Sequence, residues 1–271
     1  MKNFIKKIDQ NWIEHKTQAL TGNESIRNQI ENIFKSVSSA DDDELLSFLD
    51  IASKVLLFGP PGVGKTAIAL ELAGKLKKKK DVESSIYEVN MAQLISEKMG
   101  QTAKNVAHLF DEINEKTKNY YVVLIMDEIE VFFLSRENKQ EHPDMNRAVA
   151  ELMNKLDQSI TNKKLFVIGL TNYKENLDPA VLRRFSFHFQ VDLPTKEDYI
   201  SFFKSNDFPK SLIENDNENI DKICVLLSKH KVTFDALKSR LRHWYIQSVG
   251  NGSASENFLQ YLEGYLHVEQ S

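Results

Sequence analysis

Cysteine is nearly absent from this 271-residue chain; Cys224 is the one instance. An intramolecular disulfide is therefore excluded, and a zinc site built on several cysteines has no ligands to draw on. No run of about 18 apolar residues occurs, so no segment reads as a membrane-spanning helix. The opening stretch MKNFIKKIDQNWIEHK is too charged for a secretory signal. An excess of either charge sign is also missing. The 35 Lys and Arg stand against 39 Asp and Glu, a net charge of −4, which argues against the domain-wide basic footprint of a nucleic-acid binder. Internal repeats are absent as well. What remains is an ordinary globular composition, 41% hydrophobic and 27% charged, long enough for one large domain or a large and a small one. The expected location is the cytoplasm.

Apolar runs and helical patterns alternate from residue 21 to 192. Strands are expected at KVLLF (54–58), SIYEV (85–89), YVVLIM (121–126), KLFVIGL (164–170) and FHFQV (187–191). Near-continuous apolar strands separated by helices predict an α/β domain with a parallel sheet covered on both faces. After Pro194 the strand signal stops. Residues 193–271 read as a small all-helical domain, with helices near 196–205, 217–229, 233–249 and 254–266. Before the core, residues 1–20 read as a short helix, because Phe4, Ile8 and Trp12 fall four apart. Its apolar face packs on the chain itself or docks a partner. The like-charge run Lys77–Lys80 closes a helix, where cations are favourable.

The stretch Gly59-Pro60-Pro61-Gly62-Val63-Gly64-Lys65-Thr66 fits G-x-x-x-x-G-K-[ST], with a strand before it and a helix after. Glycines let the backbone curl so that its N–H groups face phosphate oxygens, and the helix N-terminus adds a positive dipole end. Lys65 can reach the β- and γ-phosphates, Thr66 can bind Mg²⁺, and Ala67 continues the first helical turn. The expected ligands are ATP and Mg²⁺. Asp127 and Glu128 end the buried strand VVLIM; Asp127 suits Mg²⁺, and Glu128 suits activation of the attacking water. Asn172 ends the next strand, in GLTN, where a polar side chain can sit between the carboxylates and the γ-phosphate. Arg183 and Arg184 follow in LDPAVLRRF; an arginine supplied to a γ-phosphate contributes about 10³–10⁵ in rate.

These segments resemble the AAA family of ATPases, particularly the spastin, katanin and membrane AAA-protease branch, over about residues 20–250. FGPPGVGKT is similar to Walker A, LIMDEIE to Walker B, VIGLTN to sensor 1, and LDPAVLRRF to the arginine-finger segment. VTFDALKSRLRHW (232–244) resembles the lid helix, and Thr21-Gly22 the segment near adenine. The resemblance implies a five-stranded αβα P-loop domain followed by a helical lid. It also implies ATP at the subunit interfaces of a hexameric ring, with Arg183 and Arg184 serving the neighbouring site. Lys231-Val232-Thr233-Phe234 stands where the family usually has a small residue, so Val232 or Phe234 is expected to cover the base.

The implied work is remodelling or unfolding of a protein partner. In the family a loop carrying an aromatic–hydrophobic–glycine triplet grips the polypeptide; the matching residues here are Lys98-Met99-Gly100. Lysine in the aromatic position favours acidic segments, while Met99 keeps an adaptable apolar contact. About 20 residues precede the core, so the substrate is expected to be met through the pore, the first helix or a separate partner. Two other readings remain at this level. One is an ATP-gated regulatory subunit of a multi-component bacterial defence or protease system. The other is a DNA-stimulated AAA ATPase such as a clamp or helicase loader.

Overall fold

The computed structural model describes residues 4–17, 20–39, 44, 48, 51–77, 83–134, 143–205, 217–250 and 258–268. The chain divides into two compact units. The first comprises Met1–Thr17, Ser25–Gly59 and Lys65–Val191; the second comprises Gln18–Glu24, Pro60–Gly64 and Asp192–Ser271.

Five strands of the first unit run parallel: β2 (Lys54–Phe58), β3 (Ser84–Asn90), β4 (Tyr121–Asp127), β5 (Leu165–Thr171) and β6 (Phe187–Gln190). A short edge strand, β1 (Lys6–Ile8), adds to β3 in antiparallel register, Lys6 opposite Glu88 and Ile8 opposite Ile86. The sheet order is β1-β3-β4-β5-β2-β6. Helices fill the crossovers that parallel strands require. They are α3 (Lys65–Lys77), α4 (Gln101–Thr117), α5 (Val131–Leu134), α6 (Pro143–Gln158) and α7 (Pro179–Leu182). Lys78–Lys80 of the basic run lie outside the described residues.

The expected N-terminal helix is corrected by the structure. Helix α1 spans only Gln10–Thr17, and β1 precedes it. Asp9 Oδ1 accepts the Trp12 N–H at 2.7 Å, which fixes the helix start, and the edge of β3 offers backbone partners to the residues before it. Ile8 is therefore buried from a strand. Trp12 instead lies beneath two ammonium groups, Lys6 at 4.2 Å and Lys16 at 4.8 Å from its ring centre.

Both sheet faces are buried, as the continuous apolar runs require. Leu56, Leu124 and Val167 share one core with Phe110 and Ile113 of α4 and Leu152 of α6. On the other face, Phe166 meets Phe34 of α2 (Glu24–Ser39), ring centres 4.7 Å apart. Fully burying side chains of this size contributes about 1.5–3 kcal/mol each.

The second unit holds α8 (Lys196–Lys204), α9 (Asn217–Lys229), α10 (Phe234–Gly250) and α11 (Phe258–Val268), and no strand among its described residues. Thr195 and Asp198 form a capping box at the start of α8. Tyr199, Phe202, Leu227, Leu237 and Phe258 form its core, and the Tyr199 hydroxyl donates to the Val232 carbonyl.

Candidate nucleotide site

Gly59 follows β2 with φ +146, and a Cβ there would come within 2.2 Å of the Val191 carbonyl oxygen. Backbone conformation and space both demand glycine at the point where the strand becomes the loop. Residues Pro60–Gly64 belong to the second unit, where Gly62 O accepts the Asp235 N–H at 3.3 Å. Chain and helix then resume in the first unit with Lys65, Thr66 and Ala67, the first turn of α3.

Lys65 is buried, with Nζ donating to Gly59 O and to Asn172 Oδ1, each at 2.7 Å. Burial lowers its pKa, and Asp127 and Glu130 oppose that shift. A desolvated cation at the positive end of a helix is poorly placed unless an anion arrives. The residues therefore fit a polyphosphate.

The carboxylates come from the ends of β4 and the turn after it. Asp127 has its pKa raised, chiefly by burial, then by its neighbours Glu128, Glu88 and Glu130, with the Glu128 N–H pulling the other way. That N–H donates to Asp127 Oδ1 at 2.9 Å. Among the described residues no group of three or more His, Cys, Asp or Glu side chains is placed to hold a metal ion. Glu128 has φ +56, a strained conformation for a residue with a side chain. Its Oε2 accepts from Asn90 Nδ2 at 2.8 Å, at the end of the adjacent strand β3. Asn90 Oδ1 in turn accepts the Ala92 N–H at 2.9 Å and caps the 3-10 turn Met91–Leu94.

Glu130 is the acid that sequence patterns passed over. It is 4% exposed, its Oε1 accepts the Asn172 N–H at 3.2 Å, and its Oε2 is buried without a hydrogen-bond partner among the described residues. Glu130, Asn172 and Lys65 thus form a chain of contacts running from the end of β4 across β5 to α3. Lys65, Asp127, Glu128 and Asn172 share this neighbourhood, joined by Asn90 and Glu130.

The arginine pair has different surroundings. Arg184 donates to Asp157 Oδ2 from Nε at 3.1 Å and from Nη2 at 2.8 Å, and to Ala180 O from Nη1 at 2.7 Å. Arg183 is exposed, with Nε donating to Pro179 O at 3.3 Å. In the second unit, Val232 is buried in the core and Phe234 packs 5.7 Å from both Tyr199 and Phe202. Thr21 Oγ1 donates to Asp198 O at 3.2 Å.

A family model described as "ATPase family associated with various cellular activities (AAA)" matches residues 55–193, just over half of the chain. The chain belongs to the AAA family of ATPases. It is 34% identical over 173 residues to Cell division protein C of Sulfolobus acidocaldarius, covering 62% of this chain and 44% of that protein. It is 31% identical over 196 residues to the ATP-dependent zinc metalloprotease FtsH 2 of Phytoplasma mali, covering 65% and 27%. The chain thus spans less than half the length of these curated relatives. A solved structure titled as the HORMA:CdnC:Trip13 complex of E. coli MS115-1 contains a chain of the same fold. Its TM-score is 0.78 at 19% identity, covering 96% of this chain and 93% of that one.

Within this AAA module, Asn90, Glu130 and Gly169 escaped the sequence reading. Gly169 lies on β5, and a Cβ there would come within 2.8 Å of the Phe185 ring and 3.3 Å of Ile129 Cδ1. Phe185 follows the arginine pair and Ile129 follows Glu128, so this one small residue seats both. No helix among the described residues is long and apolar enough to cross a membrane.

Proposed function

We propose that this AAA ATPase hydrolyses ATP and uses the energy to remodel a protein partner, working in the cytoplasm as a ring of identical subunits, six by family resemblance. Residues 21–192 act as the ATPase core and 193–271 as the lid. The amides of Gly59–Thr66 and the Lys65 ammonium hold the phosphates, and Thr66 and Asp127 hold Mg²⁺. Glu128 activates water, and Asn172 orders the region of the γ-phosphate. Arg183 reaches the neighbouring subunit's site, with Arg184 anchored beside it by Asp157.

The observation that supports coupling is the double role of Asn90. One end of its amide holds the Glu128 carboxylate, and the other caps the turn that leads to Lys98-Met99. A shift at that loop alters the hold on the water-activating group, and movement of Glu128 is felt at the loop. Met99 is 78% exposed, as a polypeptide contact requires.

A second reading, an ATP-gated switch, is favoured by the solved HORMA:CdnC:Trip13 complex. A HORMA-type protein is therefore the first partner to test. Turnover is measured with and without that partner, and partner conformation is followed alongside. Remodelling requires parent chain and ATP, and Glu128→Gln should bind the partner without releasing it. If a non-hydrolysable analogue supports the full change in the partner, the switch is the correct reading.

A further inference from the structure

The segment from Ile95 to Gly100 has no regular secondary structure, yet its backbone is tied down at several points. Asn105 Nδ2 donates to Leu94 O at 2.8 Å, and Thr102 Oγ1 accepts the Ser96 N–H at 3.0 Å. Ser96 Oγ accepts the Lys98 N–H at 3.3 Å, and the Gln101 N–H donates to Lys98 O at 3.0 Å. Gly100 has φ +71, and a Cβ there would meet no atom within 4 Å. Glycine is needed for the backbone turn and not for space.

Gly100 is also the N-cap of α4, a position where a side chain normally accepts a helix N–H; glycine has none to offer. In a capping box, a carboxylate at the third helical position accepts the N–H of the cap residue itself. That position is Ala103 here. The carboxylate arrives from another helix: Asp144 Oδ2, in the first turn of α6, accepts the Gly100 N–H at 3.0 Å. Asp144 therefore lies at the positive ends of two helices at once. Its side chain is only 25% exposed, and its Oδ1 is buried, 3.9 Å from Arg147 Nη1. A carboxylate this desolvated, bonded to one amide 44 residues away in sequence, has a placing task rather than a solvating one.

We infer that Asp144 is a positioning residue for polypeptide engagement: it fixes Gly100 and so aims the Lys98-Met99 tip before substrate arrives. This rests on the reading of that loop as the gripping element. Holding the tip in advance removes an ordering cost that binding would otherwise carry. The matching ligand is an unfolded acidic segment with apolar side chains, which meets the Lys98 ammonium and the Met99 thioether together.

The test uses the full chain carrying Glu128→Gln, with ATP, and a fluorescein-labelled unstructured peptide rich in Asp and Leu. Anisotropy gives the Kd, and hydrogen exchange gives protection at the Gly100 amide. Asp144→Ala should weaken binding about tenfold, the usual loss for a hydrogen bond to a charged group. It should also speed exchange at Gly100. Asp144→Asn keeps an acceptor oxygen and should stay within about threefold of the parent, a difference of well under one hydrogen bond. If Asp144→Ala unfolds the chain, Asp144→Leu keeps the branched shape without the acceptor and takes its place. Met99→Ala serves as the reference. Loss with Met99→Ala but not with the Asp144 variants overturns the positioning role alone. Parental binding in both overturns the gripping loop as well. Equal loss with Asp144→Asn and Asp144→Ala also contradicts the proposal, because the hydrogen bond would then be irrelevant.

Discussion

Glu130 shows how a residue can matter without facing solvent or ligand. Its Oε1 holds the backbone N–H of Asn172, and the Asn172 side chain holds Lys65. Glu130→Ala leaves that N–H unpartnered, and a lost bond to a charged group should lower kcat/KM for ATP about tenfold. Glu130→Gln keeps the acceptor and should recover most of that loss. Steady-state ATPase assays check this; equal damage from both variants would show that charge, not the hydrogen bond, is what counts. Asp127 makes the opposite kind of contribution. Its pKa is raised above the ordinary 3.8, mainly by burial, so the charged form destabilises the ligand-free fold. Between 3.8 and the raised value the folded chain binds more protons than the unfolded one, so stability falls as pH rises through that window. The penalty is complete above the raised pKa and is relieved in acid. Asp127→Asn should therefore stabilise the ligand-free chain at neutral pH by about 1 kcal/mol while abolishing turnover. Melting curves should show this gain shrinking as the pH is lowered; a gain that grew in acid would contradict the assignment.

At the scale of elements, Gly169 controls how β5 meets its neighbours. Gly169→Ala presses a Cβ against Phe185 and Ile129. Overpacking of this kind costs about 1–3 kcal/mol. Urea unfolding should show that loss, and Phe185→Leu added to Gly169→Ala should restore part of it by making room. Independent, additive losses would mean that the two residues do not compete for the same space. The strands themselves were legible in the sequence because parallel strands buried on both faces are continuous apolar runs. KVLLF lies at 54–58 as expected, and the other four shift by no more than a residue or so at either end. Strand β1 was not legible. Its three residues include two exposed lysines, and the open edge of β3 decides its conformation. Lys65, Asp127 and Glu128 stand out in the sequence because phosphate and metal chemistry impose a local spacing. Asn90 and Glu130 do not, because their partners lie 38 and 42 residues away and only the strand order brings them together.

For the whole molecule, the arrangement of the arginines bears on how the proposed ring works. Arg184 is held within its own chain by Asp157, whereas Arg183 is exposed. Arg183 bonds to an α7 carbonyl and Arg184 to α6 and α7 groups, and among the described residues neither bonds to the Lys65–Asn172–Glu130 chain of contacts. If they complete a neighbour's site, two chains with different defects should complement each other. One chain carries Lys65→Ala and lacks the cation proposed to hold phosphate; the other carries Arg183→Ala with Arg184→Ala and keeps the phosphate loop unchanged. Steady-state ATP turnover is measured for each chain alone and for the two mixed under assembling conditions. The expected result is near-background turnover for each chain alone and a measurable fraction of parental turnover in the mixture, where an intact arginine pair meets an intact loop. Full activity of the arginine-deficient chain by itself, or a mixture no more active than its components, would contradict the shared-site account.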